Sequence, residues 1–121
     1  MYNVILYVDI HGKCPIEEFI LSLNSKSKKN KIIRTELRQI RMYIDVLKQF
    51  GTRVGEEYTK HIQGDLWELR PGKNRILFFM GKHNEIVLLH SFRKKTNKMP
   101  KREIERAKRE RDYWIQVNGY H

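Results

Sequence analysis

A chain of 121 residues, 40% of them hydrophobic, is long enough to bury one core, and this composition argues against an intrinsically disordered protein. The formal net charge is +11, which favours nucleic acid as a partner ahead of an acidic protein segment or a membrane surface. No apolar run reaches the length of a membrane span, and the single Cys14 cannot form an internal disulfide. We therefore predict one domain over residues 1–121, located in the cytoplasm and not in a membrane.

The first half of the chain predicts a strand followed by two helices. Residues 2–10, YNVILYVDI, are rich in β-branched and aromatic residues and end at the turn sequence HGKCP. Pro15 suits the first turn of a helix, where Glu17 and Glu18 also favour the helix macrodipole. A second helix is predicted to end at Gly51. It is indicated by an apolar stripe that consists of Ile33, Leu37, Ile40, Ile44 and Leu47.

The second half predicts three short strands and a closing helix. Residues 64–70, 75–81 and 85–92 are strand-like runs separated by the turn sequences PGKN and KHN. Pro100 opens the last helix, although Met99 before it cannot cap a helix with its side chain. The order β-α-α-β-β-β-α predicts an α+β domain. We expect a small antiparallel sheet with the N-terminal helices packed on one face, together with a C-terminal helix.

The register of these strands predicts which side chains share a face of the sheet. If PGKN is a four-residue hairpin loop, Arg70 lies directly opposite Arg75. If the next loop also has an even length, Arg75 pairs with Phe92, and His90 follows on the same face because side chains alternate along a strand. Glu68 lies one step further along. The sequence therefore predicts a cluster of cations beside an aromatic ring.

Such a cluster fits the chemistry of RNA. Guanidinium groups bind phosphates, and an aromatic ring stacks on an unpaired base. RNA can be cut when a ribose 2′-hydroxyl attacks its own phosphate, which requires a base, an acid and stabilisation of negative charge. The alternative is that each arginine pairs with a surface carboxylate and that His90 is a hydrogen-bonded structural residue. No HExxH, CxxC pair or acidic cluster with metal-ligand spacing is present, so we predict no metal ion and no cofactor.

Two segments carry a family resemblance. LWELRPGKNRILFF, residues 66–79, and IVLLHSFRKKTNKMPKREIERAKRERDYW, residues 86–114, resemble the RelE/ParE superfamily of bacterial type II toxin–antitoxin toxins, and within it the HigB-like, phage-derived branch. Residues 1–60 resemble the family mainly in layout. The resemblance implies a small antiparallel sheet with two N-terminal helices on one side. It also implies a ribosome-dependent mRNA endonuclease, neutralised by an antitoxin, expected to be a helix-turn-helix protein encoded next to it.

The resemblance further implies roles for individual residues. Arg70 and Arg75 are assigned to the scissile phosphate, and Lys94 and Lys95 to proton transfer or to contact with ribosomal RNA. His90 is a further catalytic candidate. The expected RNA-binding residues are Phe92, Arg93, Lys73 and Lys98.

Two features leave the mechanism open at this point. The sequence places no obvious acidic residue beside His90, so it does not assign the general base. The superfamily also contains gyrase-poisoning toxins of the same fold without nuclease activity, so fold alone does not decide the function. Gyrase poisoning and plain nucleic-acid binding therefore remain the alternatives to RNA cleavage.

Overall fold

A computed structural model describes residues 1–119, which form three α-helices and a five-stranded sheet. The elements in chain order are β1 Asn3–Leu6, α1 Pro15–Ser27, α2 Lys31–Phe50, β2 Thr59–Gln63, β3 Leu66–Leu69, β4 Asn74–Met80, β5 Glu85–Arg93 and α3 Lys101–Asn118. A short 3₁₀ helix, Gly51–Val54, follows α2. The predicted domain of residues 1–121 thus extends two residues beyond those that the structure describes.

The sheet has the strand order β1-β5-β4-β3-β2. Its pairs are antiparallel except for β1, which runs parallel to β5. The predicted α+β class is confirmed, and the predicted order of elements holds with one addition, the strand β2. The sheet is therefore mostly, and not wholly, antiparallel.

Two strand predictions need correction. β1 ends at Leu6, short of the predicted residue 10, because Asp9 begins a turn in which its carboxylate accepts hydrogen bonds from the backbone N–H groups of His11 and Lys13 at 2.9 Å. The strand β2 was also not predicted from the sequence. Its residues, TKHIQ, are mostly polar because β2 is an edge strand with a largely exposed surface.

Helices α1 and α2 cover one face of the sheet, as predicted. The Asn30 side chain begins α2 by accepting hydrogen bonds from the N–H groups of Ile32 and Ile33 at 3.0 and 3.2 Å. Gly51 ends it with a positive φ of 64°. The apolar stripe of α2 packs against a core cluster that includes Leu69, Ile76, Phe78, Ile86 and Leu88 of the sheet.

Helix α3 covers the opposite face through a second core cluster. Ala107 and Trp114 are buried there, and the Trp114 ring meets that of Phe79 edge to face at 5.6 Å between centroids. Pro100 precedes the helix without a capping side-chain hydrogen bond. This was expected, because the side chains of Met99 and Pro100 have no hydrogen-bonding group that could cap a helix. Within residues 1–119, no helix combines the length and the apolar character needed to cross a membrane.

Candidate functional site

A cavity of about 700 Å³ lies on the α3 side of the sheet, between β2, the ends of β3 to β5 and the start of α3. We call it the cleft. Its charged lining residues are eight cations and two acids: Lys60, Arg70, Arg75, Arg93, Lys94, Lys95, Lys98, Arg102, Glu68 and Glu103. The other residues that line it are His61, Ile62, Phe92, Thr96, Asn97, Met99, Pro100 and Ile104. The excess of positive charge makes the cleft a site for an anion.

The structure brings together seven of the nine residues that the sequence proposed for the site. These are Arg70, Arg75, Phe92, Arg93, Lys94, Lys95 and Lys98. Arg75 pairs with Phe92, as predicted, and Leu77 pairs with His90. The reason differs from the predicted one, because the β4–β5 loop is odd in length and a β-bulge between Leu77 and Phe78 shifts the register by one residue. Two proposed residues lie elsewhere: Lys73 is exposed on the β3–β4 loop, and His90 is buried beneath the cleft.

Glu68 holds the two cleft arginines in place. Its two carboxylate oxygens lie 3.7 Å from Arg70 Nε and 3.6 Å from Arg75 Nε. The ladder between β3 and β4 ends at Leu69 and Ile76, so its register continues directly to Arg70 and Arg75. The repulsion expected between two opposed guanidinium groups is thus partly offset by a buried carboxylate, as the position of Glu68 predicted.

Each guanidinium keeps N–H groups available for a ligand. Arg75 Nη1 donates to the backbone carbonyls of Gly72 and Asn74, both at 2.8 Å, which fixes the group while its Nη2 forms no hydrogen bond within residues 1–119. Arg70 Nη1 donates to the Glu56 carbonyl at 2.9 Å and its Nε is buried beside Glu68, so the group left for a ligand is Nη2, which forms no hydrogen bond in the same part of the chain. Fixed guanidinium groups with unused donors are suited to phosphate oxygens.

Burial also changes the acid–base properties of this group of residues. Burial raises the pKa of the Glu68 carboxyl above its ordinary value, while Arg75 and Arg70 oppose the shift. Burial lowers the pKa of Arg75, with Glu68 acting in the opposite direction. Glu68 is therefore a carboxyl whose charge is costly and whose proton is held more tightly than in water.

Replacing Glu68 with glutamine is expected to make the protein relatively more stable as pH rises. The raised pKa means that the folded wild type binds the proton more tightly than the unfolded chain, so its stability falls as pH rises from about 4.5 through the folded-state pKa. The Glu68→Gln variant has no carboxyl at this position, so its stability does not fall in this way. Urea unfolding from pH 4 to 7 measures the effect, with Glu57→Gln as a control that removes an exposed carboxylate instead of a buried one. A free energy of unfolding that favours the wild type over Glu68→Gln by more as pH rises would contradict this prediction.

The loop after β5 presents three further cations of the cleft, Lys94, Lys95 and Lys98. The Lys94 N–H donates to the Lys73 carbonyl at 2.7 Å, so Lys73 contributes its backbone and not its side chain. Glu36 of α2 accepts from Asn74 Nδ2 at 2.6 Å and from Arg93 Nη1 at 2.8 Å. These bonds tie the end of β5 to the start of β4 and hold Lys94 beside the arginines.

The surroundings of His90 correct one sequence interpretation. The sequence suggested no acid beside His90, but Glu110 Oε1 lies 2.5 Å from its Nδ1 and Glu103 Oε1 lies 3.0 Å from its Nε2. The imidazole is fully buried, and Arg106 Nε lies 3.2 Å from Glu110. With both ring nitrogens engaged, His90 connects α3 to β5, which favours the structural alternative for this residue.

Three cleft residues were missed by sequence reasoning. Lys60 pairs directly with Glu68 across β2 and β3, and Arg102 and Glu103 belong to the first turn of α3. The period-two alternation of TKHIQ could have indicated Lys60, had β2 been recognised. Glu103 could not be placed, because the face of α3 that meets the sheet depends on how the helix docks.

The cleft can bind and polarise a phosphodiester. Arg70 and Arg75 supply fixed donors for phosphate oxygens, and the half-buried Phe92 supplies a ring against which a base can stack. Lysines around Glu68 provide groups for proton transfer. Residues 1–119 contain no group of three or more His, Cys, Asp or Glu side chains that could hold a metal ion.

Comparison with known proteins agrees with the likeness seen in residues 66–114. A family model described as Phage derived protein Gp49-like (DUF891) matches residues 19–112, which include most of α1, all of α2, every strand from β2 to β5 and the first part of α3. A search among curated proteins finds no match to the chain. Because the family match spans well over half of the sequence and nearly all of the cleft, this protein belongs to the Gp49-like family of phage-derived proteins, a RelE/HigB-like toxin family.

Proposed function

We propose that this protein is the toxin of a type II toxin–antitoxin pair, of the HigB-like branch, and that it cuts mRNA on the ribosome. The observation that supports this proposal most is the pair of guanidinium groups that Glu68 fixes in a cleft lined by eight cations and an aromatic ring. A single-stranded RNA offers the phosphates and the unstacked bases that such a cleft would bind.

The proposed reaction is the attack of a ribose 2′-hydroxyl on the adjacent phosphate. The new O–P bond forms as the bond to the 5′-oxygen of the next nucleotide breaks, which leaves a 2′,3′-cyclic phosphate and a 5′-hydroxyl. Arg70 and Arg75 would stabilise the negative charge that develops on the phosphate. This route needs no metal ion, since the nucleophile and the phosphate both belong to the RNA.

Proton transfer is assigned to the lysines of the cleft. Lys94 and Lys95 lie on the loop beside the arginines, and Lys60 lies opposite Glu68. One of these amines, in its neutral form, would act as the base that takes the 2′-hydroxyl proton, and a protonated neighbour would supply the leaving 5′-oxygen with its proton. Arg93, Lys95 and Lys98, which are exposed at the rim, would also contact ribosomal or messenger RNA.

An antitoxin follows from the same proposal. A toxin with a net charge of +11 must be neutralised in its own cell, and an acidic helix-turn-helix protein encoded next to it would match this charge. Such a partner would act in the cytoplasm, either by covering the cleft or by holding the toxin away from the ribosome.

Induction of the gene in a bacterial host tests the proposed function. Growth should stop, and primer extension should show cuts at codon spacing in translated messages but not in the same message without its start codon. Co-expression of the antitoxin should restore growth. Intact transcripts together with double-strand DNA breaks would contradict RNA cleavage and would support gyrase poisoning instead.

A further inference from the structure

One side of the cleft is apolar and continuous with the core. Ile62, Phe92, Met99 and Ile104 all line the cleft, and all four pack against the core cluster beneath α3. They come from β2, β5, the following loop and α3. Because they are partly buried and supported from below, they form a firm apolar wall beside the cationic side of the cleft.

Glu103 adds a fixed carboxylate to this wall. Its Oε1 lies 3.0 Å from the buried His90 Nε2, and its side chain retains 13% exposure. Its second oxygen lies 3.5 Å from Arg102 Nε, on an arginine whose side chain is 82% exposed, so that ion pair is weak. His90 is held in turn by Glu110, and Glu110 by Arg106. Glu103 thus has one carboxylate oxygen held by His90 and a second one that can still accept a hydrogen bond from a ligand.

A carboxylate in an RNA-binding cleft repels phosphate, and unlike Glu68 it does not bridge the two arginines. Carboxylates only accept hydrogen bonds, and adenine, cytosine and guanine each carry an amino group that donates. Uracil instead presents two carbonyl oxygens on either side of a single N–H. An apolar wall that carries one fixed acceptor therefore discriminates between bases while it contributes nothing to phosphate binding.

We propose that Glu103, together with the apolar wall, forms a nucleobase subsite that selects bases with an exocyclic amino group over uracil. His90 acts here as a positioning residue, because it fixes the orientation of the Glu103 carboxylate. This inference rests on the proposed function, since it assumes that the cleft binds single-stranded RNA.

Binding of uncleavable RNA tests the subsite. The probes are fluorescein-labelled 2′-O-methyl hexanucleotides of cytidine and of uridine, whose blocked 2′-oxygen prevents attack and whose rings have the same size. Fluorescence anisotropy should give a Kd for the cytidine probe about tenfold below that for the uridine probe, the ratio of a good base contact. In Glu103→Gln, whose amide both accepts and donates, the ratio should fall close to one.

The matched control is Glu105→Gln. Glu105 lies on the same helix turn, carries the same charge and contacts only Lys108 at 3.6 Å, outside the cleft. It should keep the wild-type ratio. Because each ratio compares two probes on one protein, a partly unfolded variant still reports it correctly. A Glu103→Gln ratio equal to that of wild type, a wild type without preference, or a uniform gain in affinity for both probes would overturn the subsite.

The outcomes separate this inference from the proposed function. Base preference that depends on Glu103 without any cleavage of translated mRNA would support the subsite and overturn the nuclease. Codon-spaced cleavage without that preference would overturn the subsite alone. A protein that binds neither probe at low salt would overturn the subsite, while codon-spaced cleavage would still decide the proposed function.

Discussion

Replacing Arg70 with alanine is expected to lower the rate of mRNA cleavage by roughly 10²–10³-fold, the usual effect of removing one fixed donor from a developing negative charge. Arg70 approaches Glu68 with its Nε and leaves that buried N–H without a hydrogen bond within residues 1–119. Its side chain retains 26% exposure, so its loss should leave the fold intact. Cleavage in a reconstituted translation reaction measures the effect, and circular dichroism checks the fold.

Arg70 tests the phosphate site more cleanly than Arg75. Arg75 also donates to the Gly72 and Asn74 carbonyls and is almost fully buried, so its removal would disturb the β3–β4 turn as well as the site. The control is Arg38→Ala, an exposed arginine of α2, which packs on the other face of the sheet. A full cleavage rate in Arg70→Ala, or an equal loss in Arg38→Ala, would show that the cleft arginines do not stabilise the reaction.

Replacing His90 with alanine is expected to lower the free energy of unfolding by about 3–5 kcal/mol, the usual cost of breaking a buried charged contact. The imidazole is fully buried and bridges Glu103 and Glu110. A neutral imidazole has one N–H, so both bonds require either a second ring proton or a protonated carboxyl. Without the ring, Glu110 loses a buried partner and α3 loses its polar anchor to β5.

Urea unfolding measures the effect of His90→Ala, and His11→Ala is the control. His11 is exposed in the turn before α1, so its replacement should change stability by no more than about 0.5 kcal/mol. If His90→Ala costs less than about 1 kcal/mol, the two carboxylates do not depend on the imidazole. The assignment of His90 as the residue that holds the Glu103 carboxylate in place would then be wrong.

Much of the fold could be predicted because local patterns and long-range packing agree. The stripe of α2 has the period of a helix, and Asn30 and Gly51 set its ends. The β3–β4 pairing was predictable because the four-residue turn PGKN fixes its register, whereas the β4–β5 register also depends on a β-bulge between Leu77 and Phe78. The strand β2 was not predictable, since an edge strand exposed to solvent has no apolar run. The parallel pairing of β1 with β5 was not predictable either, because it depends on a crossover that no local pattern encodes.

The candidate site, like the fold, was predictable only in part. The juxtaposition of Arg70 and Arg75 followed from the length of the turn PGKN, whereas Phe92 meets Arg75 only because a β-bulge shifts the β4–β5 register by one residue. The sequence did not indicate the partners of His90, because Glu103 and Glu110 reach it only after α3 has docked on the sheet. Sequence reasoning therefore found the phosphate side of the cleft and missed the side that α3 supplies.

The parallel pairing of β1 with β5 has a consequence for how the protein is made. Asn3 meets Glu85 and Leu6 meets Leu88, so β5 lies between β1 and β4 in the finished sheet. During synthesis, β1 leaves the ribosome long before its partner exists and must wait unpaired. A nascent chain that stops before β5 lacks the strand that joins β1 to the rest of the sheet, and it lacks the loop of cleft lysines. The cleft can thus be complete only after most of the chain has been synthesised.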